Sequence, residues 1–166
     1  MLLALINDVL DMSKIEAGKM QIVESEYSTA AMMNDVILGV NVRAEQKRLE
    51  VKLNIDESIP ATLKGDEIRI KQILNNLLSN AVKYTEKGSV TFSASGIYKE
   101  DQFFLRLSVE DTGIGVKKED MESLFDSFQR LEMSKNRYIQ GTGLGLNITK
   151  HLVSSMNGTI TVQSEY

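Results

Sequence analysis

A chain of 166 residues is long enough for one domain with a substantial hydrophobic core, and its 42% hydrophobic, 25% charged composition is that of a globular protein. A net charge of −4 argues against a general nucleic-acid or anionic-membrane surface, while leaving room for local cationic pockets. The lack of cysteine excludes disulfides and thiolate chemistry, and a single histidine without a carboxylate cluster argues against a protein-built zinc site. No apolar run has the length of a membrane span and no signal-peptide pattern opens the chain. The lack of cysteine is compatible with a cytoplasmic location, the expectation for these residues.

Residues 2–17 are predicted to be helical. Leu2, Leu5, Val9 and Met12, flanked by Leu3, Ile6 and Leu10, form a broad apolar stripe, and Gly18 supplies a C-cap. Such a stripe has to be buried on the domain or in a bundle completed by other helices; the second reading is preferred, and it makes a dimer the expectation. Met20 to Val23 reads as a short strand. Residues 29–48 carry a second helical pattern, with Ala30, Met33, Val36, Ile37, Val40 and Ala44 at spacings of three and four. Val51, Leu53 and Ile55 alternate as a half-buried strand, which Glu57-Ser58-Ile59-Pro60 ends.

Asp66 is placed to cap the next helix, which runs through Tyr84. At about 100° per residue, Arg69, Gln72, Asn76, Asn80 and Lys83 fall within an arc of roughly 80°. Ile70, Ile73, Leu74, Leu77, Leu78, Ala81 and Val82 cover the other side. Asn is a mediocre helix former that gains little mid-helix unless its amide has a partner. Two Asn residues one turn apart, followed by Lys, therefore read either as a solvated face or as a ligand-facing row.

Strands are predicted at Val90 to Ile97 and Phe103 to Glu110, joined by a polar turn near Glu100-Asp101. Period two puts Asp111 on the face of Phe103, Leu105, Leu107 and Val109, pointing toward the core, where a carboxylate needs specific donors; the alternative is a turn residue that caps the next loop. Gly113 and Gly115 flank Ile114 where backbone must turn tightly or approach a ligand. Glu119 to Phe128 reads as a short helix with Met121, Leu124, Phe125 and Phe128, and residues 129–140 as a connection without periodicity. Gly141-Thr142-Gly143-Leu144-Gly145-Leu146 opens a helix running to about Met156, an arrangement that lets N-terminal amides approach an anion. It is not a P-loop, since the Gly-Lys-Ser/Thr ending is absent, and no strand precedes it as a dinucleotide fold requires. Asn157-Gly158 ends that helix, Thr159 to Gln163 reads as a strand, and His151 as a packed or solvent-edge residue.

Four segments together resemble the motifs of sensor histidine kinases of two-component systems. Asn76 to Thr85 is similar to their N box, Asp111-Thr112-Gly113-Ile114-Gly115 to the first glycine box, Phe125-Asp126-Ser127-Phe128 to the F box, and Gly141 to Leu146 to the second glycine box. Leu5 to Gly18 resembles the end of the second dimerisation helix. The resemblance implies an α/β fold of the GHKL (Bergerat) type, a two-layer sandwich with a mixed, mainly antiparallel sheet and helices on one face. It implies residues 1–19 as the end of the dimerisation helix and 20–166 as the catalytic ATP-binding domain, stopping before its last strand.

It also implies ATP and Mg²⁺ as ligands. Asp111 would accept the adenine amino proton, Asn80 would hold Mg²⁺, Asn76 would support metal or phosphates, Lys83 would contact phosphate and Tyr84 the base or ribose edge. Gly113, Ile114, Gly115 and Phe128 would contribute to the nucleotide pocket. Gly141, Thr142, Gly143, Leu144, Gly145 and Leu146 would meet the phosphates. Residues 129–140 would form the lid, with Arg130 and Arg137 as candidate γ-phosphate contacts.

Related ATPases carry Glu where this chain has Asn76 and use it as a base; an amide cannot take a proton at neutral pH. That favours transfer to a protein histidine over hydrolysis. The acceptor histidine is expected on a separate dimerisation helix of a homodimeric parent, with a response-regulator receiver domain taking the phosphoryl group next. The resemblance leaves open a parent anchored in the bacterial cell membrane. An ATP hydrolase and a nonenzymatic dimerising domain are the alternatives.

Overall fold

The computed structural model describes residues 2–100, 102–121, 123–126 and 143–166. It divides into two compact units, Glu24–Ile114 and a second formed by Met1–Val23 with Gly115–Tyr166.

In the first unit the order is β1 (Ser25–Ser28), α2 (Thr29–Lys47), β2 (Glu50–Ile55), β3 (Thr62–Gly65), α3 (Glu67–Tyr84), β4 (Ser89–Lys99) and β5 (Gln102–Asp111). The antiparallel pair β1 and β3 forms a small sheet. β4 is the centre of the other, running parallel to β2 and antiparallel to β5. The fold is thus the mixed α/β arrangement that the sequence predicts.

Burial follows the periodicities of α2, α3 and β4 but not that expected of β2, where Val51 is half-buried and Leu53 and Ile55 are exposed. Met32, Val36, Val40 and Ala44 lie four apart along α2, Leu74, Leu78, Ala81 and Val82 line α3, and Val90, Phe92 and Ala94 alternate along β4; together they form the core. Each large side chain taken fully from water contributes about 1.5–3 kcal/mol before entropy is counted. Ser28 caps α2 by accepting from the Ala31 N–H at 3.3 Å, and Asp66 caps α3 by accepting from the Arg69 N–H at 3.0 Å. Lys71 bridges Glu67 at 3.0 Å and Asp35 of α2 at 3.2 Å.

Several expectations are corrected. The first strand is Ser25–Ser28, not Met20 to Val23, because the residues that find a partner strand are those beside the buried Tyr27, opposite Leu63. The strand Thr62–Gly65 was not predicted. Ala30 is exposed and Met32 buried, a shift of phase within a helix whose other predicted core positions hold. Asp111 is exposed rather than turned to the core: its Oδ1 accepts from the Gly113 N–H at 2.9 Å, so the carboxylate folds onto its own loop.

In the second unit, α1 (Leu2–Glu16) packs on α4 (Gly145–Ser155), and a 3₁₀ turn spans Lys118–Asp120. Leu144, Ile148 and Leu152 are buried, whereas Leu5, Ile6, Val9 and Leu10 of α1 are exposed. The helix predicted from Glu119 is a 3₁₀ turn followed by turns through Asp126 among the described residues. Thr159 to Gln163 forms no strand, and among the described residues no ladder partner engages it. The chain instead returns beside the residues after the glycine box, where the Val116 N–H donates to Ser164 Oγ at 2.8 Å and Lys117 lies over the Tyr166 ring. No helix among the described residues is long and apolar enough to cross a membrane.

Candidate functional site

The first unit holds the polar row of α3. Arg69, Gln72, Asn76, Asn80 and Lys83 are all half-buried, while Asn75 and Ile68, one step off the row, are exposed. The row is therefore not simply the solvated side of the helix. Arg69 Nη1 donates to Gln72 Oε1 at 2.7 Å, which occupies the N-terminal end of the row with an internal pair. Towards the C-terminal end, the Lys83 ammonium lies 4.7 Å from the centroid of the Tyr84 ring, a cation–π contact that gathers two candidate ligand groups at the last turn.

That last turn is joined to the loop after β5. The Ile114 N–H reaches the Tyr84 carbonyl at 3.4 Å, and Thr112 Oγ1 accepts from the Ser89 N–H at 3.0 Å. A Cβ at Gly113 would lie 2.6 Å from both Asp111 Oδ1 and the Tyr84 carbonyl oxygen, so only glycine allows the loop to pass here. Asn76, Asn80, Lys83, Tyr84, Asp111, Gly113 and Ile114 thus belong to one compact unit in which α3 and the Asp111 loop are directly bonded. The donor set suits a nucleotide: an exposed carboxylate for an amino group, neutral amides for a hard cation already balanced by phosphate, and a lysine for an anion. Among the described residues no cluster of three or more His, Cys, Asp or Glu could hold a metal by itself.

The second unit holds Gly115, Gly143, Leu144, Gly145 and Leu146. Gly143 has φ +72°, a conformation in which an L side chain is strained. The N-cap of α4 is Leu144, with no side-chain cap hydrogen bond. Asn147 Nδ2 donates to the Phe125 carbonyl at 2.8 Å, which ties the first turn of α4 to the F-box segment, and the Lys150 ammonium lies 5.7 Å from the Phe125 ring centroid. At Gly115 the close approach is made by this chain's own backbone, since a Cβ there would strike the Glu165 carbonyl. His151 is exposed. Phe128, Arg130, Arg137, Gly141, Thr142 and the expected lid at 129–140 lie outside the described residues.

Residues 65–166 match the family described as histidine kinase-, DNA gyrase B- and HSP90-like ATPase. The chain belongs to that family. As a histidine-kinase-type ATPase domain it is 42% identical over 99% of its length to hybrid signal transduction histidine kinase B of Dictyostelium discoideum. It is 40% identical over 98% of its length to the sensor histidine kinase GacS of Pseudomonas protegens. It spans 8% of the first relative and 18% of the second. Among solved structures, full-length ShkA in complex with AMPPNP superposes with a TM-score of 0.78 at 31% identity, covering 98% of this chain and 34% of that one. A nucleotide-free catalytic domain of the histidine kinase ThkA gives 0.66 at 25% identity, covering 82% of each chain.

Proposed function

We propose that this ATP-binding domain holds Mg²⁺-ATP and transfers its γ-phosphoryl group to a histidine on a separate dimerisation helix, for relay to a response-regulator aspartate. The observation that carries the reading is the half-buried row of Asn76, Asn80 and Lys83, whose helix end is bonded to the loop bearing Asp111. The AMPPNP in the ShkA complex, a protein aligned over nearly the whole chain, adds support. We assign residues 1–19 to the end of the dimerisation helix and 20–166 to the catalytic domain. The exposed apolar residues of α1 fit a helix completed by other chains.

In this reading Asp111 accepts the adenine amino proton through the carboxylate oxygen that Gly113 does not engage. Tyr84 and Ile114 flank the base, with Gly113 and Gly115 shaping the loop around it. Asn80 supplies an amide oxygen to Mg²⁺, Asn76 supports it, and Lys83 binds phosphate. Gly143, Leu144, Gly145 and Leu146 offer backbone to the phosphates. Phe128, Arg130, Arg137, Gly141 and Thr142 keep the roles the resemblance implies. Mg²⁺, when bound, neutralises phosphate charge, so the protein's task is mainly positioning and electrostatic stabilisation. ATP as substrate places the domain on the cytoplasmic side.

Asn76 separates this from the hydrolase reading, because its amide has no proton-accepting capacity for activating water. Calorimetry with Mg²⁺-ATP on the full chain tests the site, and binding is expected; its absence removes the nucleotide assignment. Mixing with a dimerisation-helix fragment carrying the acceptor should then yield acid-labile phosphohistidine. Phosphate release without protein labelling would instead support hydrolysis.

A further inference from the structure

Lys47 belongs to none of the four motifs, yet it reaches the helix end on which the proposed site depends. It is the last residue of α2, and its Nζ donates to the carbonyls of Val82 at 2.8 Å, Lys83 at 2.8 Å and Thr85 at 3.1 Å. An ammonium has three N–H donors, so these bonds use all of them. Carbonyls of a last helical turn lack partners within the helix, and a cation is favoured there by the helix dipole.

The neighbouring carbonyls are also engaged. Ala81 accepts from the Thr85 N–H at 3.1 Å and Thr85 Oγ1 at 2.8 Å, and Tyr84 accepts from the Ile114 N–H. The turn carrying Lys83 and Tyr84 is therefore held by Lys47 from α2 and by Ile114 from the Asp111 loop. Phosphate and base contacts must be placed to within a fraction of an ångström, which demands such supporting bonds.

We infer that Lys47 is a positioning residue for nucleotide binding, fixing the turn from which Lys83 addresses phosphate. The inference rests on the nucleotide-site reading above. It goes beyond that reading because Lys47 itself touches no proposed ligand. Lys47 matters more for the triphosphate than for the base, since the Asp111 carboxylate has its own bond to Gly113.

The test compares the full chain, Lys47→Met and Lys47→Arg by calorimetry with Mg²⁺-ATP and with adenosine, alongside amide hydrogen exchange. Lys47→Met is expected to weaken Mg²⁺-ATP on the order of tenfold, the loss of one charge-assisted anchor, and adenosine less than about twofold. Lys47→Arg, which keeps a cation and several donors, should recover most of the affinity. Protection should fall at residues 82–85 and remain elsewhere in α3. Unchanged Mg²⁺-ATP affinity in Lys47→Met overturns the inference while leaving the site intact. An equal loss for both ligands with protection lost throughout the unit also overturns it, because Lys47 would then serve stability alone. If the unmodified chain binds neither ligand, the nucleotide reading fails and takes this inference with it.

Discussion

Helices α3 and α4 begin differently, although each starts with amide groups that have no partner within the helix. In α3, Asp66 closes the start with its own carboxylate and Glu67 adds a charge in the first turn. In α4 the cap position is Leu144, which has no oxygen in its side chain, and glycines stand on either side of it. A side-chain cap is a structural solution that fixes the helix and shields its amides from external anions. A glycine-bordered apolar cap leaves the same electrostatics to be used by an anion from outside. The contrast separates the end of a helix that serves folding from one that the proposed function assigns to phosphate.

Substitutions can break this contrast from either side. The largest effect is expected at Asp111→Asn, where exchanging a carboxylate acceptor for an amide should weaken Mg²⁺-ATP on the order of 30-fold, equivalent to about 2 kcal/mol. Calorimetry on the folded variant reads it, and wild-type affinity would mean that the carboxylate serves only its Gly113 bond. Asn80→Ala should weaken Mg²⁺-ATP by about tenfold and leave binding of metal-free ATP unchanged, because only the metal-dependent part is removed. A variant as responsive to Mg²⁺ as the parent would remove Asn80 from the metal's ligands.

Smaller effects belong to the structural side. Asp66→Ala should cost about 1 kcal/mol of stability, seen as a melting shift of about 2–4 °C, with Mg²⁺-ATP affinity preserved. A large affinity loss at unchanged stability would mean the α3 cap is not merely structural. Finally, burial first and the nearby Glu67 second raise the Tyr27 phenol above its usual value. The folded state thus holds the phenol's proton more tightly than the unfolded chain. The associated stability is present below about pH 10 and is lost as pH rises from there through the raised folded value. Denaturant titrations should show that loss, and Tyr27→Phe should flatten it; an identical alkaline slope in both proteins would assign the effect to other groups.

Long elements with strong periodicity were legible. Val36, Val40 and Ala44 of α2 and the alternation of β4 follow directly from residue order, as does the Asp66 cap, whereas Met32 of α2 does not. The strands Ser25–Ser28 and Thr62–Gly65 were not, because four residues with one buried position in the first and two half-buried positions in the second, one of them a glycine, carry too little apolar alternation to stand out. Their pairing is a long-range event. Asp111 shows the limit of strand parity: the period extends to the last paired residue, but a side chain at a strand end can satisfy itself in the adjoining loop. For Thr159 to Gln163 alternation was present, and among the described residues a ladder was not. In the candidate site, the polar row and glycine segments could be read from sequence, whereas Lys47 could not. A lysine at a helix C-terminus resembles an ordinary dipole partner of its own helix, and only tertiary structure reveals that it caps another.

Amide hydrogen exchange of the full chain with and without Mg²⁺-ATP bears most directly on the difference between the helix starts. Exchange should slow at Gly145, Leu146 and Asn147 in the first turn of α4 and at residues 111–113, and stay unchanged at Ala31 and Arg69, whose amides already donate to Ser28 and Asp66. Slowing confined to α2 and α3, or none anywhere at saturating nucleotide, would contradict the assignment of the α4 start to phosphate.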